Sequence, residues 1–193
     1  FPSPAEGEAF QEANYNQKIL FHRCNTPQAE DILVYERPDQ PEWGFGTKLS
    51  DDGKFLLIKV SQGTDTRNRF IYKNLENDSP VVELLPNLEA TFDFIGNDGP
   101  VFYFTTNLTA SRGRVIAINI EHPERENWKT IIQENKAVLQ SAQIIHDQFV
   151  VIYMQDAHDI IQLFELDGSP AGEVILPTLG SVMVAYEPSL HGE

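Results

Sequence analysis

The stretch SDDGKFLLIKVSQGTDTRNRFIYKNL, residues 50–75, decides the predicted fold. A turn at residues 51–53 precedes an apolar run at 55–60, and a polar connection separates that run from a second one at 70–75. Apolar runs rich in β-branched and aromatic residues, bounded by Asp, Gly, Thr and Asn, are typical of paired β-strands. The stretch therefore predicts a β-hairpin.

The same pattern recurs twice further along the chain, after turns at residues 97–99 and 146–148. The turn residues Asp52, Asp98 and Asp147 are 46 and 49 residues apart. A period of about 40–50 residues with several strands in each repeat is typical of a β-propeller, in which each repeat is one blade. The sequence therefore predicts an all-β fold of blades with four antiparallel strands, about four of which fall within the chain.

The repeat divides the chain into predicted segments. A connection at residues 1–16 is followed by an incomplete blade at 17–44, in which residues 18–21 and 31–35 form the middle hairpin and a fourth strand lies around Trp43. Three blades and the first strand of another follow, at residues 45–88, 89–135, 136–177 and 178–193. Because such a stack leaves two blade faces uncovered, we expect that it is not a closed ring by itself and is part of a larger protein.

The composition disfavours several classes of protein. A formal net charge of −15 disfavours binding to nucleic acids or anionic membranes, which requires Lys and Arg side chains. The single cysteine, Cys24, cannot form an intrachain disulfide, which is compatible with a reducing compartment. No apolar run approaches the ~20 residues of a membrane-spanning helix. Residues 1–10 have neither the basic nor the apolar region of a signal peptide.

The sequence contains no catalytic or metal-binding motif. The five histidines lack the spacing of zinc ligands, and the aspartate turns are too short to form a calcium-binding loop. Ser181 is the nearest candidate nucleophile, but its surroundings, GSVMV at residues 180–184, lack the second glycine of the G-x-S-x-G elbow. We therefore predict no catalytic residue, no metal site and no cofactor in this chain.

Six stretches follow one another in an order and spacing that match a known family. They are QAEDILVYE (28–36), PEWGFGTKLSDDGKFLLI (41–58), GTDTRNRFIY (63–72), LEATFDFIGNDGPVFYFTTN (88–107), RVIAINIEHPERENWKTIIQE (114–134) and LGSV (179–182). These stretches resemble the propeller domain of the prolyl oligopeptidases, a family of serine peptidases. The resemblance extends over residues 1–193 almost without a gap.

The resemblance implies a propeller of roughly seven blades that caps an α/β-hydrolase domain. This chain would then correspond to the middle blades, while the Ser-Asp-His triad would lie in the hydrolase domain, outside this chain. The whole enzyme is expected to cleave short peptides after proline in the cytoplasm, with the propeller excluding larger peptides. The expected partners are short proline-containing peptides and the α/β-hydrolase domain of the same protein.

The resemblance also implies which residues contact the substrate. The connection at residues 61–68, together with residues 43–45, is expected to face the hydrolase domain, where Gly44, Ser61 and Thr64 line the substrate pocket. Gly44 is smaller than the apolar residue of some relatives, which predicts a roomier pocket. Arg67 and Arg69 could hold the hydrolase domain or a substrate carboxylate through a bidentate pair. Equally, they could pair with an aspartate of a neighbouring blade, and the small residues could be simple turn formers.

Two functions remain open at the level of the sequence. The first is the gating, non-catalytic part of a serine oligopeptidase, either one that cleaves after proline or a relative that cleaves after basic residues. The second is a propeller scaffold that binds protein partners and has no enzymatic activity. The repeat pattern by itself does not distinguish the two.

Overall fold

The structure is a computed structural model that describes residues 15–182. These residues form three four-stranded antiparallel sheets and one two-stranded sheet. The strands are, in chain order, β1 Lys18–Phe21, β2 Ile32–Glu36, β3 Trp43–Leu49, β4 Phe55–Gln62, β5 Arg69–Asn74, β6 Val82–Leu85, β7 Phe92–Asp98, β8 Val101–Thr106, β9 Arg114–Asn119, β10 Lys129–Ile132, β11 Val138–Ile145, β12 Gln148–Gln155, β13 His158–Glu165 and β14 Pro170–Val174. The prediction of an all-β fold with four-stranded antiparallel blades is confirmed.

Helices contribute little to this part of the chain. The helices among residues 15–182 are two 3-10 turns, Gln28–Glu30 and Arg125–Asn127, and none is long and apolar enough to cross a membrane. Most of the predicted connection, residues 1–14, and most of the predicted final strand, residues 183–193, lie outside the described residues.

The first hairpin, β1–β2, differs from the prediction. Trp43 begins β3, which pairs residue by residue with β4, so the predicted fourth strand around Trp43 is wrong and the predicted boundary after residue 44 falls inside β3. The hairpin also occupies a different place in its blade. Gln17, just before β1, bonds to β3 as Asn68, just before β5, bonds to β7. We therefore assign β1 and β2 to the third and fourth strands of their blade.

The sheets pack face to face because successive side chains of a strand point to opposite sides. In β4, Phe55 and Leu57 face the sheet β7–β10, whereas Ile58 and Val60 face the β1–β2 hairpin. The same alternation in the next sheets produces a second core between β7–β10 and β11–β14, which includes Tyr103, Val115, Phe149, Val151 and Tyr153. Burial of both faces explains why the strand sequences are almost continuous apolar runs.

The first strands of neighbouring sheets lie beside one another. Strands β7 and β11 are in contact, and a Cβ added to Gly96 of β7 would lie 2.9 Å from Cδ1 of Ile144 in β11. The first strands are also more exposed than the second strands that pair with them. The blades of a propeller surround a central channel. The described sheets therefore form an arc of blades with β3, β7 and β11 on its inner side.

The aspartate turns between the first and second strands are held by local hydrogen bonds. Asp52 accepts a hydrogen bond from the backbone N–H of Lys54 at 3.1 Å and one from Ser50 Oγ at 2.6 Å. Its second oxygen accepts a bond from Asn97 Nδ2 of the neighbouring turn at 3.0 Å. Gly53 has φ +71°, the left-handed conformation that glycine adopts without strain. These turns are structural, and residues 15–182 contain no cluster of three metal-ligating side chains.

Tyr153 of β12 predicts a pH dependence of stability. Its side chain is fully buried, its hydroxyl has no hydrogen-bond partner among the described residues, and burial raises its pKa from 10.0 to about 12. Above pH 10 the unfolded tyrosine releases its proton while the folded one keeps it. The free energy of unfolding is therefore expected to fall by about 2 kcal/mol as the pH rises from the unfolded to the folded pKa.

Urea unfolding on both sides of pH 10 measures this effect. Tyr153→Phe removes the ionisable group and is expected to reduce the decrease in the free energy of unfolding with rising pH. No loss of stability is expected at neutral pH, because no hydrogen bond is lost. Tyr15→Phe is the matched control, since Tyr15 is 47% exposed. An unchanged slope in Tyr153→Phe would contradict the prediction.

Candidate functional site

The predicted site residues lie at one end of the sheet β3–β6. We call this end, where β3, β7 and β11 begin, the loop end; it also carries the connections from second to third strands at residues 63–68, 107–113 and 156–157. Gly44 is the second residue of β3, and its register partner in β4 is Ser61. Thr64 and Arg67 lie in the connection that follows β4, and Arg69 begins β5. The fold thus places all five predicted residues at the loop end of one sheet.

The space beside Gly44 is occupied by two neighbouring side chains. A Cβ at this position would lie 2.7 Å from Ser61 Oγ and 3.7 Å from Gln17 Nε2, so these two side chains occupy the space beside it. Gln17 is fixed there because its Oε1 accepts a hydrogen bond from the backbone N–H of Phe45 at 2.8 Å. The small residue at position 44 therefore accommodates Ser61 and Gln17.

Ser61 is not arranged as a nucleophile. Its hydroxyl lies 3.4 Å from the backbone oxygen of Gly44 and forms no hydrogen bond with a histidine among the described residues. A serine nucleophile requires an adjacent base within hydrogen-bond reach. Ser61 can therefore contact a ligand but cannot be activated by the groups described around it.

Arg67 is neutralised within its own loop. Its Nη2 lies 2.6 Å from Asp65 Oδ2, its Nε lies 3.0 Å from Asp65 Oδ1, and its backbone N–H donates to Oδ1 at 2.8 Å. The hydrogen bonds from Arg67 lower the pKa of Asp65 to about 2, so the pair is ionised at neutral pH. The carboxylate that pairs with Arg67 therefore belongs to the same connection and not to a neighbouring blade.

Arg69 belongs to a stack of three side chains that the sequence did not predict. The indole ring of Trp43, which is 6% exposed, lies between two guanidinium groups, and Cζ of both Arg37 and Arg69 is 4.5 Å from the ring centroid. Arg69 also donates from Nε to the backbone oxygen of Pro86 at 3.0 Å and from Nη1 to Gln62 Oε1 at 3.4 Å. Cation–π contact and hydrogen bonds together fix the Arg69 side chain.

The two arginines of this stack differ in their charge partners. Arg37 forms ion pairs with Asp39 at 2.9 Å and with Glu83 of β6 at 2.8 Å, and its hydrogen bonds lower the pKa of Asp39 to about 2. No carboxylate lies within ion-pair distance of Arg69 among residues 15–182. Arg69 is thus a rigid guanidinium at the loop end that is available to a carboxylate from outside the described residues.

A separate cleft lies on the last described sheet. It has a volume of about 370 Å³ and is formed by the start of β13, the end of β14 and residues 175–179. Its lining includes His158, Asp159 and Glu173 but none of the five predicted site residues. The loop-end cluster and this cleft are therefore distinct features of the surface.

Comparisons with known proteins agree on one family. The family model described as "Prolyl oligopeptidase, N-terminal beta-propeller domain" matches residues 1–189. The chain is 30% identical to prolyl oligopeptidase ophP of Omphalotus olearius over 191 residues, which are 95% of this chain and 26% of the relative. It is 24% identical to prolyl endopeptidase of Elizabethkingia meningoseptica, covering 94% of this chain and 25% of the relative.

Solved structures give the same result. Prolyl oligopeptidase B from Galerina marginata, without ligand, is 27% identical and aligns with a TM-score of 0.82 over 90% of this chain and 25% of its own. The same enzyme has been solved with a bound 35-residue hydrolysis and macrocyclization substrate, and that structure aligns over 97% of this chain and 26% of its own with 26% identity and a TM-score of 0.85. The chain spans about a quarter of the length of the curated relatives it matches.

Proposed function

The chain belongs to the family of prolyl oligopeptidase N-terminal β-propeller domains, and on that premise we propose that it is the propeller part of a serine peptidase that cleaves short peptides after proline. The family match over residues 1–189 is the observation that carries this proposal. It favours a peptidase over a propeller scaffold without enzymatic activity, since the relatives compared with the chain are peptidases.

In this proposal the chain is not catalytic by itself. Its sequence lacks the G-x-S-x-G elbow, and Ser61 has no basic partner among the described residues. The blades act as rigid walls around the central channel and limit the size of peptides that reach the α/β-hydrolase domain of the same protein. The sheets β3–β6 and β7–β10 are packed on both faces, which supports such a role because it holds these walls rigid. We place the enzyme in the cytoplasm.

The loop end is the part of the chain proposed to face the hydrolase domain and the peptide. Ser61 and Thr64 are exposed there, and we propose that they contact the peptide upstream of its proline while Gly44 leaves room for Ser61. Of the two arginines, Arg69 is the better anchor for a carboxylate of the hydrolase domain or of the substrate, because Arg67 is already paired with Asp65. Loops held by a rigid framework are well suited to such contacts.

A peptidase assay tests the proposal. The full-length protein that contains this chain is expected to release the chromophore from a proline-containing peptide, to reject the same peptide with alanine in place of proline, and to lose activity with a serine-directed inhibitor. The 193-residue chain alone is expected to give no turnover. Absence of turnover by the full-length protein would refute the peptidase, and turnover by the chain alone would refute its non-catalytic role.

A further inference from the structure

The residue that precedes the third strand of a sheet bonds to the first strand of the next sheet. Asn68, which is 1% exposed, donates its backbone N–H to the oxygen of Ala90 at 3.1 Å. Its side-chain Oδ1 accepts the backbone N–H of Phe92 at 2.7 Å, and its Nδ2 donates to the oxygen of Phe92 at 3.0 Å. One buried amide therefore holds the first residue of β7 on both sides.

A similar arrangement occurs after the last described sheet, where the bonding residue is the second residue of the third strand β13. Asp159, which is 4% exposed, donates its backbone N–H to the oxygen of Gly180 at 2.9 Å, and its Oδ2 accepts the backbone N–H of Val182 at 2.6 Å. Its other oxygen accepts a bond from Gln140 Nε2 at 2.6 Å. As with Asn68, the backbone bond and the side-chain bond reach two residues that are two positions apart along the next segment.

The first junction uses a longer side chain. Gln17, just before β1, accepts the backbone N–H of Phe45 through Oε1 at 2.8 Å. Gln17 and Asn68 therefore each use a side-chain oxygen to accept a main-chain N–H of the first strand of the next sheet, and Asp159 does the same for the segment that follows β14, although the three residues differ in type. A buried or partly buried polar bond of this kind fixes geometry strongly, because leaving either partner unpaired is unfavourable.

The remaining junction has no such side chain. Between β7–β10 and β11–β14, the position before the third strand is Gly113, and the backbone oxygen of Arg112 accepts the N–H of Leu139 directly at 2.8 Å. A Cβ at Gly113 would lie only 3.0 Å from Cβ of Leu139. At this junction, glycine lets the two main chains approach without an intervening side chain.

We propose that Gln17, Asn68 and Asp159 are junction clasps. Gln17 and Asn68 set the spacing between neighbouring first strands, and through it the width of the central channel, and Asp159 holds the segment that follows β14 in the same way. The side chains of Gln17 and Asn68 each bond the first strand of one blade to the blade before it. The length of the side chain therefore determines the distance between that strand and the first strand of the neighbouring blade. The part of the proposal that concerns peptide size rests on the proposed function, in which the channel limits access to the active site. The clasps would then be specificity determinants that touch no substrate.

Hydrogen–deuterium exchange of the full-length protein tests the clasp itself. Asn68→Ala is expected to speed exchange of the Phe92 amide by at least about tenfold, because that N–H loses its buried acceptor. Asn107→Ala is the matched control, since exposed Asn107 accepts the N–H of the adjacent Thr91 at 2.9 Å in the same way. Its effect on Phe92 is expected to stay within about threefold. If the Phe92 amide exchanged at the same rate in both variants, the proposed role of Asn68 would be wrong.

Asp159 provides a second pair of variants should Asn68→Ala fail to fold. Asp159→Ala is expected to speed exchange of the Val182 amide by at least about tenfold, whereas Asp159→Asn retains an acceptor oxygen and is expected to preserve the protection. If Asp159→Asn and Asp159→Ala exchange alike at Val182, the side-chain bond does not hold that segment and the proposal is wrong.

Peptide size is tested with two proline-containing peptides that differ only in length. In Asn68→Ala the ratio of kcat/KM for the long peptide to that for the short one is expected to rise at least about threefold, and in Asn107→Ala it is expected to be unchanged. If the kcat/KM ratio stayed constant in Asn68→Ala while the Phe92 amide exchanged faster, Asn68 would hold the strand but would not set the width of the channel. No cleavage by the unaltered protein would refute the proposed function, while the exchange measurements would still decide whether the clasps exist.

Discussion

Replacing Phe104 by alanine is expected to lower the free energy of unfolding by about 3–5 kcal/mol. Phe104 of β8 is fully buried between the sheets β3–β6 and β7–β10. Its ring makes edge contacts with Phe70 at 4.8 Å, Phe94 at 5.7 Å and Phe92 at 6.4 Å between centroids. Its removal leaves a cavity at the junction of two blades, and the β-sheets on either side cannot collapse freely into it.

Equilibrium urea unfolding measures the loss. Phe21→Ala is the matched control, because Phe21 is 53% exposed and the same chemical change there is expected to alter stability by less than about 1 kcal/mol. If both variants lost the same free energy, the ring of Phe104 would not be a contact between blades. A decreased urea slope for Phe104→Ala would indicate that the blades no longer unfold together.

Most of the strands were predictable because they are apolar runs bounded by turn residues. Runs such as residues 55–60 and 149–154 are largely buried, so their apolar composition identifies them. The predicted position of the first hairpin in its blade differs from the structure, although the strand spacing contains a signal for the correct one. The separation of Ile19 and Ile32, 13 residues, is closer to the third-to-fourth strand separation, which is 12 from Phe70 to Val82, than to the 15 from Phe55 to Phe70.

The candidate site was predictable only in part. Residues 61–69 are contiguous in sequence, so Ser61, Thr64 and Arg67 lie close together in any fold that contains this connection. The stack on Trp43 and the bond from Asn68 to Phe92 depend on contacts across many residues, 24 in the case of Asn68. Such contacts follow from the packing of blades and leave no periodic signal in a single sequence. The absence of a carboxylate within ion-pair distance of Arg69 among residues 15–182 likewise depends on the packing around it and cannot be read from the sequence.

The connection at residues 61–69 is held at several points, which bears on its proposed role. Asn68 anchors its end to β7, Arg69 is fixed on Trp43, and Thr66 accepts a hydrogen bond through its backbone oxygen from Thr91 Oγ1 at 2.9 Å. A connection fixed in this way presents Ser61 and Thr64 in one arrangement. Preorganised groups bind a ligand without the entropic loss of ordering a mobile loop.

Gly168→Ala is expected to destabilise the chain by about 2–5 kcal/mol, through two effects that can be separated. Gly168 lies in the turn between β13 and β14 with φ +88°, a conformation that is unfavourable for alanine by about 1–2 kcal/mol. A Cβ there would also lie 2.9 Å from the carbonyl carbon of Ile131 in β10, and closer still to its oxygen. Displacing one blade from the other adds about 1–3 kcal/mol, because main-chain atoms cannot rotate away as a side chain can.

Gly53→Ala isolates the first effect, since Gly53 has a similar φ of +71° but no atom within 4 Å of its added Cβ. It is expected to lose only about 1–2 kcal/mol in the same urea titration. The difference between the two variants measures how closely the outer turn of one blade must approach the outer strand of the next. Equal losses would mean that the blades can separate at their outer edge without penalty, in which case the width of the channel would depend on the inner contacts alone.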